Sequence, residues 1–167
     1  MIPIETERKF LIRMPDISTL TAQKGLRIKD IEQIYLNSED GKNARLRKVT
    51  ESGEIKYIKT VKERISVLSA YENEYEIDGD TFEAELKNRD TTKNTIVKTR
   101  YCFPFDSHII EIDVYPFWSD RAILEVELES ENERFSLPDF IDVVREVSDD
   151  ARYKNTHLAQ SVPHDEI

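Results

Sequence analysis

The sequence predicts a mainly β fold of the α+β class, built on an antiparallel sheet that can close into a barrel. Roughly eight segments alternate in residue character with the period of two that is typical of strands. Turn signals separate these segments, and only a few stretches carry helix signals. Strands joined by turns favour an antiparallel sheet, and closure into a barrel would remove its exposed edges.

Most of the strand segments carry one charged face and one apolar face. The clearest are, in chain order, IETERKFLI, NARLRKVT, KYIKTVK, NEYEID, IVKTRYCF, IIEIDVY and AILEVELES. The stretch GLRIKDIEQIYLN can supply one more strand. Gly41 follows Asp40, and Gly53 lies in TESGE, so both predict turns and the second indicates a hairpin.

Four segments carry helix signals. Residues 15–25 begin with a Pro-Asp pair and end at a glycine, as a first helix often does. Residues 78–90 have Asp80 as the expected N-cap, with acids in the first turn and bases in the last. Residues 136–147 and 149–162 predict two short helical pieces near the C-terminus.

Length and composition predict one cytoplasmic domain over residues 1–167. Hydrophobic residues make up 38% of the chain and charged residues 35%. No apolar run could span a bilayer, and no signal-peptide pattern follows Met1. The single Cys102 excludes an internal disulfide. The sequence leaves the oligomeric state open, including a homodimer.

The net charge of the chain bears on its partners. It is −10, from 34 acidic and 24 basic residues. This balance argues against a general affinity for nucleic acid or for an anionic membrane. A polyanion would therefore have to be bound by a local group of bases.

Charged residues recur at every second position within the strand segments. In the first segment Glu5, Glu7 and Lys9 share one face, because side chains i, i+2 and i+4 of a strand point the same way. The other pairs with this spacing are Arg45 and Arg47, Glu74 and Glu76, Lys98 and Arg100, Glu111 and Asp113, and Glu125 and Glu127. Lys62 also shares a face with Lys56, because an even number of residues separates them. In several segments the interleaved residues are strongly apolar, such as Leu46, Ile112 and Val126, so the opposite face is expected to be buried.

Two interpretations of the charged faces remain open from the residues alone. They can be the solvated outer faces of a half-buried sheet, in which case Glu5 and Lys9 would tolerate alanine. They can also bind a polyphosphate with its cations, because bases neutralise phosphate oxygens and carboxylates hold Mg²⁺. Other catalytic signatures, GxxxxGK, GxGxxG and HExxH, are missing, and the three histidines are not spaced as metal ligands.

The ordered set of charged motifs resembles the CYTH superfamily, also called triphosphate tunnel metalloenzymes. IETERKF resembles the ExExK signature of that family. The later matching stretches, in order, are RLR from Arg45, TVK ending at Lys62, EYEI from Glu74, KTRY from Lys98, EIDV from Glu111, LEVE ending at Glu127, and RYKN from Arg152. ExExK alone is a weak motif, but the ordered set is fairly specific and covers nearly the whole chain.

The resemblance implies a closed eight-stranded antiparallel β-barrel that forms a tunnel, with a few flanking helices and the charged faces turned inward. It implies Mg²⁺ or Mn²⁺ as cofactor, with metal ligands Glu5, Glu7, Glu125 and Glu127. It implies as catalytic residues Glu5, Glu7, Lys9, Glu111 and Asp113. The substrate-binding bases would be Lys9, Arg45, Arg47, Lys62, Lys98, Arg100 and Lys154. The assignment on the last helix, Lys154 or Arg152, is weaker than the others.

The implied activity is metal-dependent hydrolysis of inorganic triphosphate. The alternatives on the same scaffold are a class IV-type adenylate cyclase, a thiamine triphosphatase, or a non-catalytic module that binds polyphosphate or nucleotide. One departure bears on affinity: the family often has arginine where this chain has Glu72. Glu74 and Glu76 are expected to pair with tunnel bases and to hold their rotamers.

Overall fold

The computed structural model describes the whole chain, Met1–Ile167, as nine β-strands with three short α-helices. The strands are β1 Ile4–Arg13, β2 Arg27–Leu36, β3 Lys42–Glu51, β4 Glu54–Arg64, β5 Ser69–Ile77, β6 Ile96–Phe105, β7 His108–Val114, β8 Arg121–Leu128 and β9 Val143–Glu146. The helices are α1 Ile17–Thr21, α2 Gly79–Glu85 and α3 Asn155–Leu158. No helix is long and apolar enough to cross a membrane.

The first eight strands form the predicted closed antiparallel barrel. Their order around the wall is β5-β4-β3-β2-β6-β7-β8-β1, and β1 returns to pair with β5. The closing seam is short and joins Ile4, Glu5 and Thr6 to residues 69–71. A buried hydrogen bond of 2.8 Å between the hydroxyls of Thr6 and Ser69 strengthens it. The sequence-based expectation of an eight-stranded barrel is therefore confirmed, and the stretch GLRIKDIEQIYLN does supply one of its strands.

The apolar faces of the strands lie on the outside of the barrel wall, where other segments cover them. The largest outer cluster includes Phe10, Ile112 and Leu124, all almost fully buried. Segment 135–141 and Leu20 of α1 pack against it. On the opposite wall Phe82 of α2 covers a smaller cluster. Because these faces are covered, the charged faces of the same strands point into the barrel.

One end of the barrel is filled by apolar side chains instead of charges. Leu11 and Ile123 lie on the inward faces of β1 and β8, two residues beyond Lys9 and before Glu125. Both pack with residues of the C-terminal segment 147–159 in one buried cluster. The amide of Val147 also donates to the carbonyl of Lys9, at 2.8 Å. The C-terminal segment therefore covers the end of the barrel at which β1 finishes.

The predicted helix over residues 136–147 is wrong, because this segment is extended. Its last part forms β9, which pairs antiparallel with β1 from Phe10 to Ile12. This edge of β1 has no barrel partner, since β5 pairs only with residues 4–6. β9 satisfies those backbone groups, and a short apolar run does not by itself distinguish a helix from a strand.

The other predicted helices form at the expected positions but are shorter than predicted. Asp78 caps α2, accepting from the amide of Thr81 at 2.7 Å, so the expectation that Asp80 is the N-cap is wrong. The predicted helix over 15–25 forms only as α1. In segment 149–162 the helical residues are a 3₁₀ turn, Ala151–Tyr153, followed by α3.

Candidate functional site

The barrel encloses a charged cavity of about 500 Å³. Sixteen of its 25 lining residues are charged, nine basic and seven acidic. The bases are Lys9, Lys29, Lys42, Arg45, Arg47, Lys62, Arg64, Arg100 and Lys154. The acids are Glu5, Glu7, Glu72, Glu74, Glu111, Glu125 and Glu127. The period of two therefore brings charges that are far apart in sequence to one enclosed space.

The basic wall of the cavity, formed by Arg45 and Arg47 of β3 and Arg100 of β6, is crowded. Arg45 and Arg47 lie on β3, and Arg47 Nε donates to Gln33 Oε1 at 2.7 Å. Burial, with the nearby charges of Arg45 and Arg100, lowers the pKa of Arg47 to about 10. The Nε atom of Arg45 is buried and has no hydrogen-bond partner. Guanidinium groups that repel one another beside an unsatisfied donor suit an anion with several oxygens.

The acidic wall of the cavity, formed by Glu5 and Glu7 of β1 and Glu127 of β8, is crowded in the same way. Glu7 of β1 lies directly opposite Glu127 of β8, and like charges in such a cross-strand pair repel. Burial, with the charges of Glu125 and Glu5, raises the pKa of Glu7 to about 8. Burial and the charge of Glu5 also raise the pKa of Glu127. No three His, Cys, Asp or Glu side chains converge around one point here, but the donor set fits a hard divalent cation, which would offset this repulsion.

Glu125 is in a different environment from the other predicted metal ligands. Its Oε1 lies 3.4 Å from Lys9 Nζ, and its Oε2 lies 3.4 Å from Arg100 Nη2. Burial alone would raise the pKa of Glu125, but Lys9 and Arg100 outweigh it and hold the pKa well below its usual range. Glu125 is thus already neutralised by two bases.

Two predicted site residues, Lys98 and Asp113, lie behind the cavity lining. Both side chains are almost fully buried, and Lys98 Nζ is 2.8 Å from Asp113 Oδ2. Asp113 is ionised because Arg100 and Lys98 outweigh the cost of its burial and lower its pKa to about 2. Burial lowers the pKa of Lys98 to about 7. The charge of Asp113 offsets only part of this effect, because Asp113 is shared with Arg100. The pair therefore contacts Arg100 and not the open cavity.

Glu111 lines the cavity and accepts from Arg100 Nη1 at 2.7 Å. The expected pairing of Glu74 with a base is not present, because Glu74 accepts from the Thr60 hydroxyl at 2.8 Å. Glu76 lies near Lys56, with 3.9 Å between their charged atoms, on an exposed part of the wall.

The C-terminal segment contributes one of its two predicted bases to the cavity. Lys154 lines it, whereas Arg152 pairs with Asp150 and does not.

Three bases in the lining were not among the predicted site residues. Lys29 and Lys42 lie on β2 and β3, and Arg64 ends β4. Arg64 is two residues beyond Lys62, so the period of two could have identified it. Lys42 lies at the start of its strand, where the face depends on the turn and no sequence signal identifies it.

Comparison with known proteins supports one family. The model of the CYTH domain matches residues 3–160. The crystal structure of the inorganic triphosphatase NE1496 matches with a TM-score of 0.58 and 31% sequence identity. The match covers 98% of this chain and 99% of that chain. A second structure of NE1496, described as a hypothetical protein, gives 32% identity, 95% and 99% coverage and a TM-score of 0.57. No curated protein matches.

A conserved hypothetical protein from Pyrococcus furiosus shares the fold. It is 24% identical, with 77% of this chain and 80% of that chain covered and a TM-score of 0.61.

Proposed function

We propose that this chain, which belongs to the CYTH domain family, hydrolyses inorganic triphosphate to pyrophosphate and phosphate with a divalent cation, Mg²⁺ or Mn²⁺. Enzymes of this family depend on divalent metal ions. The observation that carries the proposal is the opposition of a crowded basic wall and a crowded acidic wall in one cavity. A metal-bound triphosphate has the complementary pattern, because its oxygens pair with bases while its cations pair with carboxylates.

The bases bind and orient the phosphates. Arg45 and Arg47 present guanidinium groups from one strand, and each can donate two parallel hydrogen bonds to a phosphate. Lys9 and Lys154 add charge from β1 and from the C-terminal segment. Holding the phosphates in line with the attacking water supplies much of the rate acceleration in phosphoryl transfer.

Glu5, Glu7 and Glu127 are the residues that would hold the cation. A bound divalent cation neutralises phosphate oxygens and stabilises the charge that develops during hydrolysis. Glu125 completes this set only if its ion pairs with Lys9 and Arg100 open. Glu111, which lines the cavity, is the residue we assign to orient the attacking water.

Asp113 has a supporting role in this proposal. It holds Arg100 from behind, so its effect on the reaction passes through Arg100. Lys98, which shares Asp113, has the same indirect position. Both residues are therefore positioning residues in the proposed reaction.

The identity of the substrate rests on the resemblance to NE1496 and is open to a direct alternative. Ile31, Val49 and Ile58 form an apolar patch in the cavity lining, which could contact the organic group of a nucleotide or of thiamine triphosphate. This patch favours an adenylate cyclase or a thiamine triphosphatase as the second candidate.

A side-by-side product assay tests the proposal. Tripolyphosphate, ATP and thiamine triphosphate are each supplied with Mg²⁺ and with Mn²⁺, and the products are identified. We expect the fastest release of phosphate from tripolyphosphate. Formation of cyclic AMP, or faster hydrolysis of thiamine triphosphate, would establish the second candidate instead. Tight binding of triphosphate without turnover with either metal would indicate a binding module.

A further inference from the structure

Glu72 lies inside the barrel, directly opposite Lys62. The two residues are cross-strand partners on β5 and β4. Lys62 Nζ is 2.9 Å from Glu72 Oε2, and only 17% and 16% of the two side chains are exposed. Glu72 Oε2 is buried and makes no hydrogen bond, so the charge of Lys62 is what compensates it. The backbone fixes this position, because the amide of Glu72 also donates to the carbonyl of Pro3 at 2.9 Å.

Lys62 has a second acidic partner in Glu5, to which its ammonium group donates a hydrogen bond. One ammonium group thus stands between two carboxylates, and the group of three carries a net negative charge. A phosphate that approached Lys62 would have to compete with both carboxylates. Of the cavity bases, Lys62 is therefore poorly available to an anion.

The two carboxylates differ in what happens when a metal-bound substrate enters. Glu5 is one of the residues proposed to hold the cation, and in that role it would leave Lys62. Glu72 has no other base in contact, and its backbone amide is held by the carbonyl of Pro3. Glu72 would therefore stay with Lys62 after Glu5 has moved.

We propose that Glu72 is an affinity-setting residue that competes with the substrate for Lys62. This inference rests on the proposed triphosphatase function and specifies how strongly the site binds. By keeping Lys62 paired, Glu72 weakens binding of the triphosphate and of the pyrophosphate product. The product carries fewer charges to displace Glu72, so this competition favours its release.

Binding without metal tests the competition directly. Tripolyphosphate in EDTA is titrated into wild type and Glu72→Gln by isothermal calorimetry. We expect Glu72→Gln to bind about tenfold more tightly, the effect of gaining one charge-assisted hydrogen bond. Glu76→Gln is the matched control, because Glu76 lies on the same strand and face and is 63% exposed, and it should leave affinity unchanged.

A structural role of Glu72 would not produce tighter binding, so the direction of the change is diagnostic. Equal or weaker binding by Glu72→Gln in EDTA would overturn the inference. Weaker binding by this variant only when Mg²⁺ is present would also overturn it, because Glu72 would then be a cation ligand. With Mg²⁺ we expect a lower KM and stronger inhibition by pyrophosphate.

The proposed function is tested separately by wild-type hydrolysis of tripolyphosphate. If wild type hydrolyses it and Glu72→Gln binds it no more tightly, only the inference about Glu72 is lost. If wild type neither hydrolyses nor binds it, the proposed function itself is wrong.

Discussion

Asp113 holds Arg100 in a two-point contact at the base of the cavity. Arg100 Nε donates to Asp113 Oδ1 at 2.6 Å, and Nη2 donates to Oδ2 at 2.8 Å. Lys98 donates to the same Oδ2 from the other side, also at 2.8 Å. The remaining nitrogen, Nη1, reaches Glu111 at the cavity surface. Asp113 therefore fixes the orientation in which Arg100 presents itself to the cavity.

We predict that Asp113→Asn destabilises the protein much more than Lys98→Met. The first change leaves buried Lys98 without a counterion and removes the two-point partner of Arg100, which keeps Glu111. Breaking a buried pair in this way costs about 3–5 kcal/mol. The second leaves Asp113 paired with Arg100, and an apolar side chain replaces a buried charge. The free energy of unfolding from urea titration of the three proteins measures the difference. Equal losses in both variants would contradict this account of the pair.

Arg47→Ala should weaken triphosphate binding by about 1.5–3 kcal/mol, the range for hydrogen bonds to charged groups. Arg47 is held by Gln33 and faces the cavity, so its guanidinium group is preorganised. The measurement is the rise in melting temperature with added triphosphate, which reports binding to the native state. Arg27→Ala is the matched control, because Arg27 lies on β2 outside the cavity lining and pairs with Glu51. An unchanged thermal shift in Arg47→Ala would exclude Arg47 from the binding site.

Glu7→Gln should abolish hydrolysis and yet raise the melting temperature of the metal-free protein. The substitution keeps the size of the side chain, removes a ligand for a hard cation and relieves the repulsion between Glu7 and Glu127. Glu5→Gln should also abolish hydrolysis, but without stabilisation, because it loses the ion pair with Lys62. Thermal melts in EDTA and a hydrolysis assay in Mg²⁺ separate the two effects. Wild-type turnover by either variant in limiting Mg²⁺ would rule out that glutamate as a metal ligand.

Asp150→Asn should destabilise the C-terminal segment by about 1 kcal/mol at neutral pH, because asparagine can still cap the turn but loses the charge that strengthens its hydrogen bonds with two arginines. Asp150 caps the 3₁₀ turn and pairs with Arg145 and Arg152, at 2.9 and 2.8 Å. The hydrogen bond from Arg152 is the main cause of a pKa well below the usual value for aspartate.

The sign of the pH dependence follows from that lowered pKa. A depressed carboxyl pKa adds stability that is present above the unfolded-state value of about 3.9 and is lost as the pH falls below it. The difference between wild type and Asp150→Asn should therefore shrink progressively as the pH falls below about 4. Chemical unfolding at a series of pH values measures it, and a difference that grew on acidification would refute this role for Asp150.

The barrel could be predicted from the sequence because its strands alternate strictly. Glu5, Glu7 and Lys9 must share a face in any strand, and the alternate residues from Ile4 to Phe10 must share the other. The helix prediction over residues 136–147 was wrong because this segment has no clear periodicity. A short run of this kind takes the conformation that its packing partners allow. There the unpaired edge of β1 decided the outcome, and that edge exists only once the barrel has closed.

The roles of the predicted site residues depend on contacts between strands far apart in sequence. Lys98 and Arg100 have the same spacing and charge as Arg45 and Arg47, so the sequence pattern predicts the same role for both pairs. In the structure Arg45 and Arg47 line the cavity, whereas Lys98 is buried against Asp113. Lys98 differs because Asp113 of the neighbouring strand forms an ion pair with it, whereas Arg45 and Arg47 have no acidic partner within salt-bridge distance.

The alternation along each strand was therefore enough to separate the inward side chains from the outward ones, since a period of two is a local property of the backbone. Contacts between distant segments set which inward side chains reach the cavity and with which partner each is paired. Strand register brought Glu72 opposite Lys62 and Glu7 opposite Glu127, and the C-terminal segment covered one end. Register and covering are set by hydrogen bonds and packing between distant segments, and no local pattern contains them.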